Sequence, residues 1–489
     1  MAAPIEDYAL IGDTHTAGLV SREGSIDWLC LPRFDSPACF AGLLGDRSNG
    51  HWQLAPAGPV REVRRRYQGD TLVLETEYRT DDGVVRVVDC MPPRQSDPDV
   101  ARVVQGVRGR VPMRMELTIR FDYGSIVPWV RHVDGALHAI AGPDSVWLRT
   151  PVPVYGQNLT TLADFTVAEG ERAPFMLTWH ASHRPAPRRI DPVRALGDTE
   201  AWWGEWASGI DYAGGWQDAV IRSLLTLKAL TYAPTGGIVA APTTSLPEQL
   251  GGVRNWDYRY CWLRDAYFTL NALERLGHSE EMERFLEYLR NLAEEEQGVL
   301  RPAYRINGSA DAPERELDHL SGFNGEKPVR VGNQAFEHVQ NDVYGEMVLA
   351  VSRLFLDIRF VGSVPPKTAL ATVGSLVEQI EAKLDEPDAG PWEFRERWRL
   401  HGFTVLMHWA GARRAVEVGE ALGEEDLVRQ ARKVEERAAE LLWTRLWNDE
   451  VGALTQVAGE PQLDAANLLA VHVGLLEPDD PRAASHVDA

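Results

Sequence analysis

The stretch GPWEFRER at 390–397 places Glu393 directly after Trp392 and before Phe394, with Asp385, Glu386, Asp388 and Glu396 around it and Arg395 and Arg397 close behind. A glutamate desolvated against an aromatic wall holds its proton to higher pH, and a nearby guanidinium pulls the other way. The neighbours alone leave that sign open. A carboxylic acid still protonated near neutrality can hand its proton to a leaving oxygen, as cleavage of a glycosidic bond requires, while a second carboxylate works from across the bond. The plain alternative is a surface glutamate paired with arginine.

Two other stretches carry the same kind of chemistry. RNWDYRYCWLRDA (254–266) packs three Arg, two Asp, two Trp and two Tyr into thirteen residues. Indole faces such as Trp256 cover the apolar face of a sugar ring, and Asp257, Arg264 and Asp265 supply hydrogen bonds that fix hydroxyl positions. The same text also reads as a helix start with an Arg264–Asp265 ion pair. In PVRVGNQAFEHVQNDVYGE (328–346), Arg330 and Asn333 offer donors at the start of the next helix, and Gly332 permits close backbone approach or a simple turn.

Other chemistries lack their signatures. His15, His401 and His408 stand apart without HExxH spacing, so they read as core or loop histidines and no metal is expected. GVRGRVP (106–112) has glycines but no strand-to-helix GxGxxG context, and there is no GxSxG elbow. No organic cofactor is signalled.

The elements that must position these residues change character along the chain. From Val60 to about Trp179 short alternating runs such as TLVLETEYRT (71–80) and RMELTIRF (114–121), with Asp82-Gly83 and Asp134-Gly135 as turns, predict an antiparallel β-sandwich. Past HRPAPRRIDP (183–192) the period becomes helical, with helices expected at 217–232, 264–276, 280–293, 335–358, 368–384, 403–421, 424–446 and 464–475 and no strand between them. The expected division is a sandwich domain over 1–185, a linker over 186–215 and a helical domain over 216–489. Segments 233–263, 298–334 and 385–402 are too long and too aromatic for mere connections, so the chemistry is expected there.

With 489 residues, 44% hydrophobic, and Asp+Glu 72 against Lys+Arg 50, the formal charge is −22. That balance disfavours nucleic acid and anionic membranes and suits a neutral small molecule. Cys30, Cys39, Cys90 and Cys261 show no CxxC spacing, and the N-terminus MAAPIEDYALIGD has neither the basic start nor the apolar core of a signal peptide, so a cytoplasmic location is expected. Oligomeric state is not readable.

Five blocks together resemble glycoside hydrolase family 15, which includes glucoamylases, glucodextranases and bacterial and archaeal trehalases. They are IEDYALIGDTHTAGLVSREGSIDWLCLPRFDSPACFAGLLGD (5–46), RNWDYRYCWLRDAYFTL (254–270), PVRVGNQAFEHVQNDVYGE, GPWEFRER and LDAANLL (463–469), in the family's order. The resemblance implies an (α/α)6 barrel after the sandwich, inversion at the anomeric carbon, Glu393 as general acid, Arg264 and Asp265 on the terminal glucose, and a sugar site that includes Trp256, Asp257, Arg330, Asn333 and Trp392. It also implies trehalose as the first substrate, with maltooligosaccharides or isomaltose as alternatives. Two departures stand out. No counterpart of the family's late Ser-Glu-type base motif is found, so the barrel is expected to lack its last helices and a catalytically inactive sugar-binding protein is a rival reading. RLHGFTVLMHW (399–409) and His319 also differ from the family pattern.

Overall fold

The computed structural model describes residues 2–296, 298–356 and 366–489, with 366–369 described by backbone alone. The chain divides into two compact units. One comprises Met1–Pro234, Ile238–Tyr260 and Glu314–Asn333, and the other Thr235–Gly237, Cys261–Pro313 and Gln334–Ala489.

The first unit is the antiparallel sandwich that the alternating runs predict. Its organising element is the 20-residue strand Asp99–Thr118, which belongs to both layers. Its first part pairs with Gly83–Cys90 and Arg172–Ala181, and its second with His51–Pro56 and Thr160–Ala168. The glycines of GVRGRVP lie where the strand passes between layers. A Cβ on Gly106 would meet the Ala168 carbonyl at 1.9 Å, and Gly109 has φ +74, so close approach and a bulge explain them. Asp134 and Gly135, at φ +49 and +76, form a two-residue turn of the kind whose twist matches the right-handed twist of the strands it joins.

Between the layers lies one apolar core that includes Trp52, Val87, Met115 and Phe175. It also holds a charge: the fully buried Arg102 pairs with Asp89 at 2.8 Å and donates to the Trp52 and Gly24 carbonyls. Paired and hydrogen-bonded in this way, a guanidinium can stay ionised in an apolar surround.

The stretch expected as a linker holds a helix instead: α1, Pro192–Ser208. Asp191 caps it by accepting from the Val193 amide, and Pro192 starts it where a missing N–H costs nothing. Ala195 and Leu196 bury against Val73, Val88 and Met176 of the sandwich, so the packed unit runs on through α2, Gln217–Ala229. Two interior glycines, Gly197 and Gly204, blur the helical pattern of α1 in the sequence.

The second unit is helical, with α3 Leu263–Arg275, α4 Glu280–Glu295, α5 Asp342–Leu356, α6 Pro366–Lys383, α7 Gly402–Leu422 and α8 Glu425–Leu441, then the short α9 Leu469–His472 and α10 Pro481–Asp488. The helix expected over 335–358 begins only at Asp342, because Gln334–Glu337 form a separate 3-10 turn, and positions 357 and 358 lie outside the described residues. Strands that the sequence did not suggest occur as two-residue pairs, Cys261–Trp262 with Ala303–Tyr304 and Trp447–Asn448 with Ala453–Leu454. Two helices are buried along most of their length. Where α5 meets α7, a Cβ on Gly345 would lie 2.1 Å from the Met407 carbonyl, and one on Gly411 would lie 2.7 Å from the Gly345 Cα. Only glycine lets these backbones approach so closely, and the crossing fixes the first turn of α5 against Met407–Gly411 of α7. Among the described residues no helix is long and apolar enough to cross a membrane.

Candidate active site

The sequence-predicted residues fall into two groups, one in each unit. Trp256, Asp257, Arg330 and Asn333 belong to the sandwich unit, and Arg264, Asp265, Trp392 and Glu393 to the helical one.

In the sandwich unit the group is tied together by its own contacts. Asp257 and Arg259 form a buried bidentate pair at 2.8 and 2.6 Å, and Arg259 also donates to the Tyr123 hydroxyl and the Ser36 carbonyl. The Asp257 carboxylate accepts further from Tyr260 and the Gly332 amide, and Asn333 donates to its backbone carbonyl. Asp257 is therefore engaged in holding three chain segments together. Arg330 stacks over Trp256 at 4.5 Å and donates to the Val253 carbonyl. Arg259, which carries most of this network, was not singled out in the sequence.

In the helical unit the loop before α7 is built to present Glu393. Asp388 and Arg399 exchange both backbone hydrogen bonds, at 2.9 and 3.0 Å. The buried Asp388 carboxyl group then gathers the surrounding chain: it accepts from the Asn341 amide at 2.8 Å, the Thr404 hydroxyl at 2.9 Å and the Gly390 amide at 3.1 Å, and it faces His401 Nδ1 at 3.3 Å. Gly390, at φ +65, turns tightly over the His401 ring, which a Cβ would approach to 2.6 Å. Three residues on, Glu393 itself sits at φ +59, a conformation that costs a non-glycine residue about 1–3 kcal/mol and persists only where its surroundings impose it.

The Glu393 carboxylate is 22% exposed and lies between two donors: Trp262 Nε1–H at 2.6 Å and the Arg264 guanidinium at 3.7 Å. The aromatic side chain hydrogen-bonded to it is thus Trp262. Phe394 stacks on His401, and the half-exposed Trp392 donates to Asp464 at 2.6 Å. The short strand Cys261–Trp262 and the Leu263 amide, bound to the Pro302 carbonyl, set the position of Trp262 and the first turn of α3. Arg264 pairs with Asp342 of α5 at 3.4 Å, not with its neighbour Asp265, and donates to Gln340 Oε1 at 2.7 Å.

The electrostatics of this cluster follow from burial. Glu346, one helical turn beyond Asp342, is fully buried, and neither of its oxygens has a hydrogen-bond partner among the described residues. Burial, reinforced by Asp342, pushes its carboxyl well above the usual range and so favours the protonated form. Asp342 is raised by burial against the pull of Arg264. Burial lowers His401 and His408 to about 4, so both are neutral, and His408 donates through Nε2 to the Asn341 carbonyl. Gln340, Asp342, Glu346 and Asp388 stood in the sequence as ordinary polar residues. The signal that could have found Asp342 and Glu346 is their i, i+4 spacing, which puts both carboxyls on one face at the start of a helix that is mostly apolar.

Asp388 gives a pH prediction. Burial, with Asp342 adding, raises its carboxyl from 3.8 to about 7. Between those values the folded chain holds a proton that the unfolded chain has released, so this group's stabilising contribution is whole below about pH 4 and lost as pH rises to 7. The slope is about 1.4 kcal/mol per pH unit, or about 4 kcal/mol over the window. Asp388→Asn should remove that component, which urea unfolding of both proteins from pH 5 to 8 would show as a flatter dependence in the variant.

A profile of glycosyl hydrolases family 15 matches residues 215–489, and a trehalase-like N-terminal profile matches residues 1–173. The chain is 34% identical to a trehalase of Mycolicibacterium smegmatis, over 99% of this chain and 76% of that protein. It is 33% identical to a trehalase of Mycobacterium tuberculosis, over 99% and 75% respectively. A crystal structure of a bacterial glucoamylase complexed with acarbose superposes with TM-score 0.70 at 13% identity, covering all of this chain and 78% of that one, which establishes a shared fold, the sandwich followed by helices of the (α/α)6 barrel class. The chain belongs to glycosyl hydrolases family 15. It is therefore a glycosyl hydrolase.

Proposed function

We propose that this chain hydrolyses an α-glucoside, with trehalose as its substrate, by inversion, and that Glu393 is the general acid. The observation that carries this reading is the presentation of Glu393. A partly exposed carboxyl is forced into a left-handed backbone by a loop pinned through Asp388, between an indole N–H and a guanidinium. Arg264 and Asp265, in the first turn of α3, grip the terminal glucose, Asp265 from an exposed position, and the half-exposed Trp392 contributes a ring face. In the sandwich unit Trp256 is the second ring-face candidate, with Arg330 and Asn333 near it, while Asp257 acts through the shape of its loop. The base that activates water is not assigned to a residue of this chain.

Trehalose is favoured over maltooligosaccharides because relatives that align over 99% of this chain are trehalases, whereas the likeness to glucoamylase is one of fold. A neutral disaccharide also suits a protein of charge −22. The four buried, unbridged cysteines favour a reducing, cytoplasmic setting.

The test is glucose release from trehalose, maltose and isomaltose in parallel by the purified 489-residue chain. Release from trehalose foremost is expected. In freshly formed product, inversion leaves one glucose of each anomer per trehalose cleaved, whereas retention leaves only α, and proton NMR distinguishes them. Preference for maltose would move the assignment to an exo-glucosidase, and silence on all three sugars would overturn it.

A further inference from the structure

The sandwich unit has a cleft of its own, of about 550 Å³, within the size range of small-molecule sites. It is lined by the end of the strand Asp99–Thr118 and the residues after it, by the start of the strand Trp129–Val133, and by the hairpin turn Gln157–Thr160. Three features of the lining are unusual for a surface that only faces water.

Trp129 is 83% exposed, so its ring lies open on the protein surface. Leu159 is 71% exposed at φ +59, beside Asn158 at φ +51, in a turn where Asn-Gly would be free of strain. A bulky apolar residue placed there costs conformational and hydration energy with no return from folding.

Arg120 is the third feature. It is 8% exposed, donates from one nitrogen to the Ile119 and Leu159 carbonyls, and has no carboxylate partner among the described residues. It is also the one charged residue in the lining, in a chain with 72 acids. The guanidinium is thus partly desolvated, opens on the cleft and lacks a counter-charge, which an anion in the cleft would supply. The smaller cleft of about 360 Å³ that Trp129 also lines includes Asp122 and Asp144 and so disfavours anions.

We propose that the larger cleft is a second sugar site, separate from the Glu393 cluster, that takes an anionic monosaccharide: the ring lies against Trp129, the carboxylate or phosphate pairs with Arg120, and Gln157 and Asn158 reach the hydroxyls. Charge complementarity selects the anion, since a planar guanidinium binds carboxylate or phosphate through paired donors. The exposed indole selects a ring.

The test is calorimetric titration of the full chain with glucose 6-phosphate, glucuronate, glucose and inorganic phosphate. Binding of glucose 6-phosphate or glucuronate is expected, at least tenfold tighter than inorganic phosphate, and the heat distinguishes the two anion types. Trp129→Ala, at a surface position that cannot unsettle the core, should weaken that binding at least tenfold, and Arg120→Met should abolish it, with circular dichroism checking that the variant is folded. Anionic sugar binding unchanged in Trp129→Ala, inorganic phosphate bound as tightly as the sugars, or no binding of either anionic sugar would each overturn the proposal.

Discussion

Replacing Glu393 by Gln is expected to lower kcat on trehalose by about 10²–10⁴-fold, the range that general acid catalysis contributes, with KM nearly unchanged. The variant isolates the proton. Gln has the same length, its Oε1 can still accept from Trp262 at the position the carboxylate now occupies, and the turn from Gly390 to Glu393 rests on backbone hydrogen bonds that the change leaves alone. Stability should therefore hold while turnover is lost. The choice of substrate sharpens the test. Fluoride leaves from an α-glucosyl fluoride with little need of a proton, so on that compound the variant should lose less than about tenfold. An equal loss on both compounds would mean that Glu393 positions the sugar and does not protonate it.

What the sequence made legible here was chemistry in short words, and what it hid was pairing over distance. Glu393, Arg264 and Asp265 stood out as candidates because each lies inside a compact run of residue types that suit a sugar pocket. The sandwich was legible because a strand's period of two survives local noise, as in the alternating burial of Val111–Thr118. The linker reading failed at α1, where two glycines and three tryptophans obscure a helix whose evidence is its cap at Asp191 and its packing on Val73 and Val88. Asp257 looked like a substrate ligand, but its partners Arg259, Tyr260 and Gly332 show a carboxylate holding chain to chain. Asp388 stood in the sequence only as one acid among those around Glu393. Its neighbours in sequence are indeed acidic, and only the folded loop brings the Asn341 amide and Thr404 onto it. The aromatic contact of Glu393 was expected from the adjacent Trp392 and comes from Trp262, 131 positions away in the chain.

Arg264→Met is the second large effect, and two physical arguments compete over what it would do. Arg264 reaches Gln340 and Asp342 with one nitrogen and Glu393 with another. Removing one member of a buried ion pair ordinarily destabilises by about 3–5 kcal/mol, because the other charge is left bare. Here the charges left behind need not remain charges. Asp342 and Glu346 are already pushed by burial toward their protonated forms, so the variant can fill its site with neutral acids. The folding cost is expected to stay below about 2 kcal/mol, within the range of ordinary single substitutions. The catalytic cost has no such relief. A lost charge-assisted bond to a glucose hydroxyl and a lost donor beside Glu393 amount to about 1.5–3 kcal/mol each, and together they lower kcat/KM by about 10²–10⁴-fold, with KM rising and kcat falling. Arg264→Lys should recover little, since a point charge cannot serve Gln340, Asp342 and Glu393 at once as a planar fork does. Urea unfolding and steady-state kinetics on the same preparations decide between the arguments: a destabilisation of about 3–5 kcal/mol with KM unmoved would make Arg264 a structural counter-ion, whereas a folded variant with a raised KM and a depressed kcat places it on the sugar.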